Sequence, residues 1–159
     1  MRILGIDPGI GRTGWGVIET QSATFTVHGY GCIETKVNGV LQDRLLVLYE
    51  ELRGIIEEYQ PQTLGIEDLF FQNNAKTAMI VGQARGVVLL LAAQHNLSIG
   101  VYTPLQVKSA TTGYGKADKS QVGQMVKTIL KLPNVPKPDD TADALAIALT
   151  HAFSAKSPR

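Results

Sequence analysis

The first indication of the fold is the segment Arg2-Ile3-Leu4-Gly5-Ile6-Asp7-Pro8-Gly9. An apolar run that ends on a carboxylate and then on Pro-Gly is typical of a buried strand stopped by a turn. Two more strands are predicted after it, over residues 13–20 and 23–35, and the second is rich in Thr, Val, Tyr and Ile. Together the three strands indicate an antiparallel meander at the start of the chain.

A helix and a returning strand follow the meander. Residues 41–59 carry apolar side chains at intervals of three and four, which predicts an amphipathic helix. The short apolar run 63–67 again ends in an acid, Glu67. A helix followed by a strand that rejoins the sheet is a crossover, so we expect this strand to lie parallel to the first.

The rest of the chain alternates between helices and one further strand. We predict a long helix over 75–95, a fifth strand over 97–103, and three helices over 104–111, 120–131 and 140–153. The chain has 159 residues and a mass of 17.2 kDa, which is enough for one core of ordinary size. We therefore expect a single α/β domain over 1–153 and a short, frayed tail over 154–159.

Composition excludes several classes of protein. Hydrophobic residues make up 44% of the chain and charged residues 18%, which excludes a disordered, collagen-like or coiled-coil chain. The longest apolar stretch, residues 87–93, is far shorter than the roughly 18 residues needed to cross a bilayer. The first residues lead directly into a strand without the pattern of a signal peptide. We expect a cytoplasmic protein with no membrane segment.

The net charge of +1 conceals an uneven distribution. Residues 1–75 contain five basic and ten acidic residues, whereas residues 76–159 contain ten basic and four acidic residues. Between residues 108 and 137 there are six lysines and one acid, Asp118. Such a run can neutralise phosphates, although a solvated lysine surface would have the same composition.

Four acids occupy positions where an apolar core would not normally place them. Asp7 and Glu67 end apolar strands, and Asp140 and Asp143 begin an apolar helix. The carboxyl ends of parallel strands share one edge of a sheet, and residues three apart on a helix share one face. Clustered carboxylates repel one another unless a cation joins them, and all-oxygen ligation suits Mg²⁺ or Mn²⁺.

Each acid also has a structural explanation. Asp140 and Asp143 could cap a helix N-terminus, Asp7 could belong to a turn, and Glu67 with Asp68 could be surface acids at a strand end. These alternatives are weaker for the four acids together, because three separate segments would have to place acids at one edge independently.

Gly9 to Gly14 spell the pattern GxGxxG after a strand. A dinucleotide-binding loop of this pattern requires a helix that begins at the loop, but residues 15–19 continue as a strand. The glycines therefore indicate a tight hairpin beside Asp7.

The motifs together resemble the RuvC family of bacterial Holliday-junction endonucleases. The similarity runs in order along almost the whole chain through Gly5-Ile-Asp7-Pro-Gly9, Thr13-Gly-Trp-Gly16, Ile66-Glu67, Phe70, Gly82-Gln-Ala-Arg85-Gly86, Val107-Lys108, Asp118-Lys119-Ser-Gln-Val122 and Asp140-Thr-Ala-Asp143-Ala-Leu-Ala. The resemblance implies a ribonuclease-H-like fold with a mixed five-stranded sheet flanked by helices. It also implies a homodimer that nicks four-way DNA junctions symmetrically in recombination and repair.

The resemblance further assigns roles to individual residues. Asp7, Glu67, Asp140 and Asp143 would be catalytic ligands of two Mg²⁺ ions, with Mn²⁺ as an alternative, and cleavage would leave 5′-phosphate and 3′-hydroxyl ends. Phe70, and less strongly Phe71, would stack on a junction base, with core packing as the alternative. The expected phosphate contacts are basic residues: Lys108, Lys119, Arg85, Lys76, Arg12 and Lys116.

Two further expectations concern partners. The small residues Ala78, Gly82 and Gly86 lie four apart and could face a second copy of the chain or the protein's own sheet. The resemblance also implies coupling to the branch-migration proteins RuvA and RuvB.

Two other functions are compatible with parts of the sequence. An ATPase of the actin-like branch shares the ribonuclease-H-like core, but 159 residues leave no space for the second domain that encloses its nucleotide. A catalytically silent junction-binding module is the other, and the presence of all four acids argues against it.

Overall fold

A five-stranded sheet forms the centre of the computed structural model, which describes residues 1–69 and 74–156. The first three strands form an antiparallel meander, and the last two lie parallel to the first. The strands are β1 Arg2–Asp7, β2 Arg12–Gln21, β3 Thr24–Glu34, β4 Thr63–Glu67 and β5 Ser98–Tyr102, in the spatial order β3-β2-β1-β4-β5. The predicted α/β class with a mixed five-stranded sheet is confirmed.

Helices cover both faces of the sheet. They are α1 Leu41–Tyr59, α2 Ala75–Gln94, α3 Pro104–Thr112, α4 Lys119–Ile129 and α5 Asp139–Lys156. One apolar cluster joins α1 and α2 to Leu4 and Ile6 of β1, and another joins α4 and α5 to Ile3. Successive side chains of a strand point to opposite faces, so these contacts fix which side of the sheet each strand residue faces.

Helix α5 lies unusually close to the sheet because glycines face it. A Cβ atom on Gly5 would overlap the carbonyl oxygen of Ala144, and one on Gly14 would overlap the carbonyl oxygen of Asp140. Gly14 is the antiparallel partner of Asp7 at the end of β1. The first turn of α5 is therefore held against the edge where β1 ends.

The predicted hairpin between β1 and β2 is present. The Thr13 hydroxyl donates a hydrogen bond to the carbonyl oxygen of Gly9 at 2.6 Å, and β2 continues directly from the glycine loop. No helix begins there, which agrees with the rejection of a dinucleotide-binding loop.

Six of the ten helix boundaries differ from the prediction by one to three residues, and two of these differences have a clear local cause. Helix α4 begins at Lys119 because Asp118 caps it, accepting from the Gln121 backbone while its own backbone donates to the Gln121 side chain. Helix α5 continues to Lys156, three residues into the segment expected to fray, and the Ser154 hydroxyl donates to the Thr150 carbonyl at 2.9 Å.

Helix α2 has an exposed apolar surface. By length and composition it is the one helix among residues 1–69 and 74–156 that could cross a membrane, and 22% of its most apolar window is buried. The apolar run 87–93, on which the prediction of no membrane segment rests, is only part of this helix.

Candidate active site

Asp7 and Glu67 come together because two parallel strands end side by side. Ile6 of β1 is the register partner of Ile66 of β4, and both isoleucines belong to the cluster under α1 and α2. The next residue of each strand, Asp7 or Glu67, therefore points to the opposite face, toward α5. The strand register therefore explains why these two carboxylates lie close together, as predicted.

Helix α5 adds Asp140 and Asp143 from its first turns. The charges of both raise the pKa of Asp7, which places them in its electrostatic surroundings. The neighbouring Asp139 points elsewhere: its carboxylate lies 3.2 Å from Nζ of Lys137, and its side chain is 60% exposed. This arrangement favours Asp140 over Asp139 as the member of the carboxylate group.

A groove of about 290 Å³ lies in front of these acids. Its lining combines carboxylates, lysines and apolar residues: Asp7, Glu67, Pro104, Val107, Lys108, Lys119, Val122 and Asp143. Pro104, Val107 and Val122 belong to α3 and α4, so these helices form the wall opposite the sheet edge. Sequence reasoning did not identify the apolar wall residues, because their side chains carry no chemical signature.

The protein only partly compensates the charge of Asp7. Burial and, after it, the negative charges of Asp143, Glu67 and Asp140 raise the pKa of Asp7 to about 8. Lys119 acts in the opposite direction. A carboxyl group in these surroundings favours the protonated state until a cation approaches.

Lys119 is the cation that faces the group. Its Nζ lies 3.1 Å from a carboxylate oxygen of Asp143, and this contact raises the pKa of Lys119. Burial raises the pKa of Asp143 and that of Glu67, whereas Lys119 lowers both. Lys108 lowers the pKa of Glu67 as well, so both predicted lysines act on the carboxylate group.

The chemistry of the donor set fits a divalent metal ion. The four carboxylates supply only oxygen ligands, and the pKa of Asp7 is raised first by burial and then by the negative charges of the neighbouring acids. In the part of the chain that the structure describes, no three of the acidic, His or Cys side chains meet closely enough to hold a metal ion as they stand. The four-ligand assignment therefore remains a prediction.

Arg85, one of the predicted phosphate contacts, makes its contacts within the protein. Its side chain is 13% exposed, and Nη1 donates a hydrogen bond to the backbone carbonyl oxygen of Glu67 at 2.6 Å. Nη2 lies 4.0 Å from the carboxylate of Asp68. The guanidinium thus anchors the end of β4 from α2 and holds the backbone of Glu67, a role that the sequence did not reveal.

The other predicted phosphate contacts lie at different places around the site. Lys116 is exposed in the connection between α3 and α4, and Lys76 is exposed in the first turn of α2. Arg12 begins β2 and pairs with Glu34 at 3.4 Å, with 58% of its side chain exposed. None of these three lines the groove, whereas Lys108 and Lys119 do. Phe70 and Phe71, the predicted stacking residues, lie outside the described residues.

Comparison with known proteins decides the family. The family model described as "Crossover junction endodeoxyribonuclease RuvC" matches residues 3–151. The chain belongs to the RuvC family. A RuvC relative from Caldicellulosiruptor saccharolyticus is 55% identical over 158 residues, covering 99% of this chain and 95% of the relative. One from Alkaliphilus oremlandii is 56% identical over 154 residues, covering 97% and 94%.

Solved structures of the RuvC family share the architecture. The structure described as "T. thermophilus RuvC in complex with Holliday junction substrate" has a TM-score of 0.93 and 35% identity, covering 98% of this chain and 95% of that one. Thermus thermophilus RuvC alone has a TM-score of 0.89 and 36% identity, covering 98% and 96%. The predicted family and its ribonuclease-H-like fold are confirmed.

Proposed function

We propose that this protein is an endonuclease that resolves Holliday junctions by paired nicks, leaving 5′-phosphate and 3′-hydroxyl ends. The observation that carries the proposal is a groove lined by three carboxylates, those of Asp7, Glu67 and Asp143, and by Lys108 and Lys119. Asp140 does not line this groove, but its charge raises the pKa of Asp7. Its family membership and the junction bound by the Thermus thermophilus relative support the same substrate.

The groove can hold a strand of DNA by its backbone. Lys108 and Lys119 would contact the phosphates on either side of the cut, and the apolar wall of Val107 and Val122 would exclude water from one side. Asp7 and Glu67 face the scissile phosphate from the end of the sheet, while Asp143 approaches from α5. Arg85 keeps Glu67 in place through its backbone.

A divalent metal ion is the expected cofactor, since metal dependence belongs to this nuclease family. Asp7, Glu67, Asp140 and Asp143 would hold two ions, of which Mg²⁺ is our choice and Mn²⁺ the alternative. Such ions activate a water molecule for in-line attack and stabilise the leaving 3′ oxygen. The carboxylates would have to release their protons on loading, and Lys119 would have to leave Asp143.

Helix α2 supports a homodimer. Its outward face carries Met79 and Leu90, which are 67% and 53% exposed. Among the described residues, a Cβ on Gly86 would contact nothing within 4 Å, and one on Gly82 would meet only Leu69, at 3.8 Å. These two glycines are therefore not needed for α2 to pack on the protein's own sheet. We propose that a second copy of α2 covers this face, which would give one active site for each nick.

We extend the proposal to the cytoplasm as the location, and to RuvA and RuvB as partners, on the strength of the family. An actin-like ATPase is disfavoured by family membership. A silent junction-binding module differs from the proposed enzyme only in lacking cleavage.

The decisive experiment is a cleavage assay. The protein is incubated with an end-labelled four-way junction and Mg²⁺, beside a linear duplex of the same sequence and a sample containing EDTA. We expect symmetric nicks in the junction alone and none with EDTA. Binding without cleavage under both Mg²⁺ and Mn²⁺ would identify a silent module.

Substitution of Asp7 by Asn tests the role of the carboxylates. The side chain keeps its shape but loses a charged oxygen ligand, so we expect cleavage to fall by at least about a thousandfold while junction affinity changes little. Single-turnover cleavage and a gel-shift titration measure the two properties. Asp43→Asn, on the exposed surface of α1, is the matched control. Normal cleavage by Asp7→Asn would refute the assignment.

A further inference from the structure

A second cavity, of about 340 Å³, adjoins the catalytic groove. Gly123, Val135 and Ala142 form its apolar floor. Its rim carries polar and charged groups from α4, α5 and the segment between them: Lys119, Ser120, Gln124, Lys137, Asp139 and Asp143. Among these, Lys137, Ser120 and Gln124 have no assigned role in the proposed reaction.

The floor is shaped by close packing of the segment that follows α4. A Cβ atom on Gly123 would lie 2.9 Å from Cγ1 of Val135, so the absent side chain lets this segment fold back against the helix. Pro136 is buried next to it, which fixes the backbone immediately before Lys137. The backbone before Lys137 is therefore well anchored, and it places the exposed ammonium group of Lys137 at the rim.

Lys119 and Asp143 line both the groove and the second cavity. This ion pair, with its 3.1 Å contact, is therefore the wall between the two. Lys108 lies on the groove side of the wall and Lys137 on the other side. If the scissile phosphate of a DNA strand lies at the carboxylates, the strand would continue past this wall. Its next phosphate would then lie at the second cavity.

The lysines of the second cavity can exchange their present partners. Lys137 contacts Asp139 at 3.2 Å, with side chains 75% and 60% exposed, and Lys119 is 71% exposed. Solvent screens exposed pairs of this kind, so they contribute little and break easily. The Ser120 hydroxyl and the Gln124 amide supply neutral donors that need no such exchange.

We propose that the second cavity binds the DNA backbone phosphate adjacent to the scissile one, with Lys137 as the main contact and Ser120 and Gln124 as neutral donors. This inference rests on the proposed function. Two lysines and two aspartates share the rim, so a free anion finds little net attraction there. A phosphate of bound DNA is instead covalently linked to the nucleotide in the neighbouring groove, so its effective concentration at the second cavity is high.

The test compares Lys137→Gln with Lys131→Gln. Lys131 is an exposed lysine of the same basic segment that does not line the second cavity, so it is the matched control. Junction affinity is measured in EDTA over a range of salt concentrations. For Lys137→Gln we expect the slope of log affinity against log salt to fall by about 0.9, the value for one lost phosphate contact. We expect no change in slope for Lys131→Gln.

Junctions that carry one uncharged methylphosphonate linkage, at each of three positions on either side of the cut, locate the contact. We expect the wild-type protein to lose affinity at the linkage adjacent to the cut on one side, and Lys137→Gln to be insensitive to substitution there. Inorganic phosphate at millimolar concentration should not compete with the junction for this site. Competition that disappears in Lys137→Gln would mean that the cavity selects free phosphate.

Two outcomes separate this inference from the proposed function. If wild-type protein binds and cuts the junction, but Lys137→Gln shows an unchanged salt slope and methylphosphonate profile, the inference alone is overturned. If the wild-type protein does not bind four-way DNA, both are overturned.

Discussion

At the scale of single residues, the candidate site contains charge that the protein does not neutralise. Asp7, Glu67 and Asp143 all have raised pKa values, with burial as the largest cause of each. Lys119 is the cation that opposes this shift at each of the three carboxyls. Such an arrangement costs stability in the metal-free protein, which is common where function requires a strained set of groups.

The pKa of Asp7 leads to a prediction about stability without metal. A carboxyl whose pKa is higher in the folded state contributes stability below its unfolded value of 3.8, and that contribution is lost as the pH rises toward about 8. We expect Asp7→Asn to raise the melting temperature in EDTA at pH 8.5, by about 2 to 4 °C for each kcal/mol recovered. The gain should shrink toward pH 5.

Thermal unfolding followed by circular dichroism measures this effect. Asp43→Asn, on the surface of α1, controls for the substitution itself. An Asp7→Asn melting temperature that does not exceed the wild-type value at pH 8.5 would contradict the electrostatic account of the site.

Arg85 provides a second prediction at this scale. Because Arg85 donates to the carbonyl oxygen of Glu67, Arg85→Met should slow cleavage by about 10- to 100-fold, as is usual for residues that position ligands. Junction affinity and its salt dependence should change little. Lys76→Met, an exposed lysine of the same helix, is the comparison and should reduce affinity instead. An equal loss of affinity in both variants would return Arg85 to the phosphate contacts.

At the scale of elements, the position of α5 on the sheet brings the acids of distant segments together. Gly5 and Gly14 allow the helix backbone to approach the strands at the points that face Ala144 and Asp140. Without this approach, Asp140 and Asp143 would be displaced from the ends of β1 and β4. The glycines of the first hairpin therefore contribute to the site as directly as the acids do.

Gly14→Ala tests this contact between elements. The new Cβ would overlap the carbonyl oxygen of Asp140, so we expect a loss of about 3 kcal/mol in the free energy of unfolding and a large loss of cleavage. Gly54→Ala in α1, where nothing lies within 4 Å, should instead stabilise the protein by about 0.5 to 1 kcal/mol. Urea denaturation distinguishes them, and an undisturbed Gly14→Ala protein would show that α5 can move away without cost.

At the scale of the whole molecule, α2 presents an exposed apolar face. Met79 and Leu90 are exposed on the same helix face as Gly82 and Gly86. A helix of 20 residues is about 30 Å long, so two copies packed along this face would bury a substantial apolar surface. In the proposed dimer each copy would supply one carboxylate group, so paired nicking would depend on this assembly.

Leu90→Glu tests the assembly. A charge on the outward face of α2 should convert a dimer to monomers, and we expect single nicks to replace paired ones. Light scattering after gel filtration measures the mass, and denaturing gels of the cleaved junction measure the nicks. Val37→Glu, at an exposed site between β3 and α1, is the control. A wild-type protein that is already monomeric at micromolar concentration would contradict the dimer.

The order of the elements could be predicted from the sequence alone, because strand and helix periodicities are local properties. The bounds of β1, α1 and β4 agree with the prediction residue for residue. It also indicated Asp7, Glu67, Asp140 and Asp143 as a group, since each acid interrupts or borders an apolar run that would not otherwise carry one.

What a side chain contacts is known only from the folded structure. The sequence predicted a phosphate contact for Arg85 and not its hydrogen bond to Glu67, because a basic residue looks the same in a sequence whether it faces DNA or the protein. The close approach of α5 to Gly14, the wall formed by Lys119 and Asp143, and the open space beside Gly86 were equally hidden. Each arises between segments far apart in the chain, and their contacts exist only once the sheet and its helices have packed.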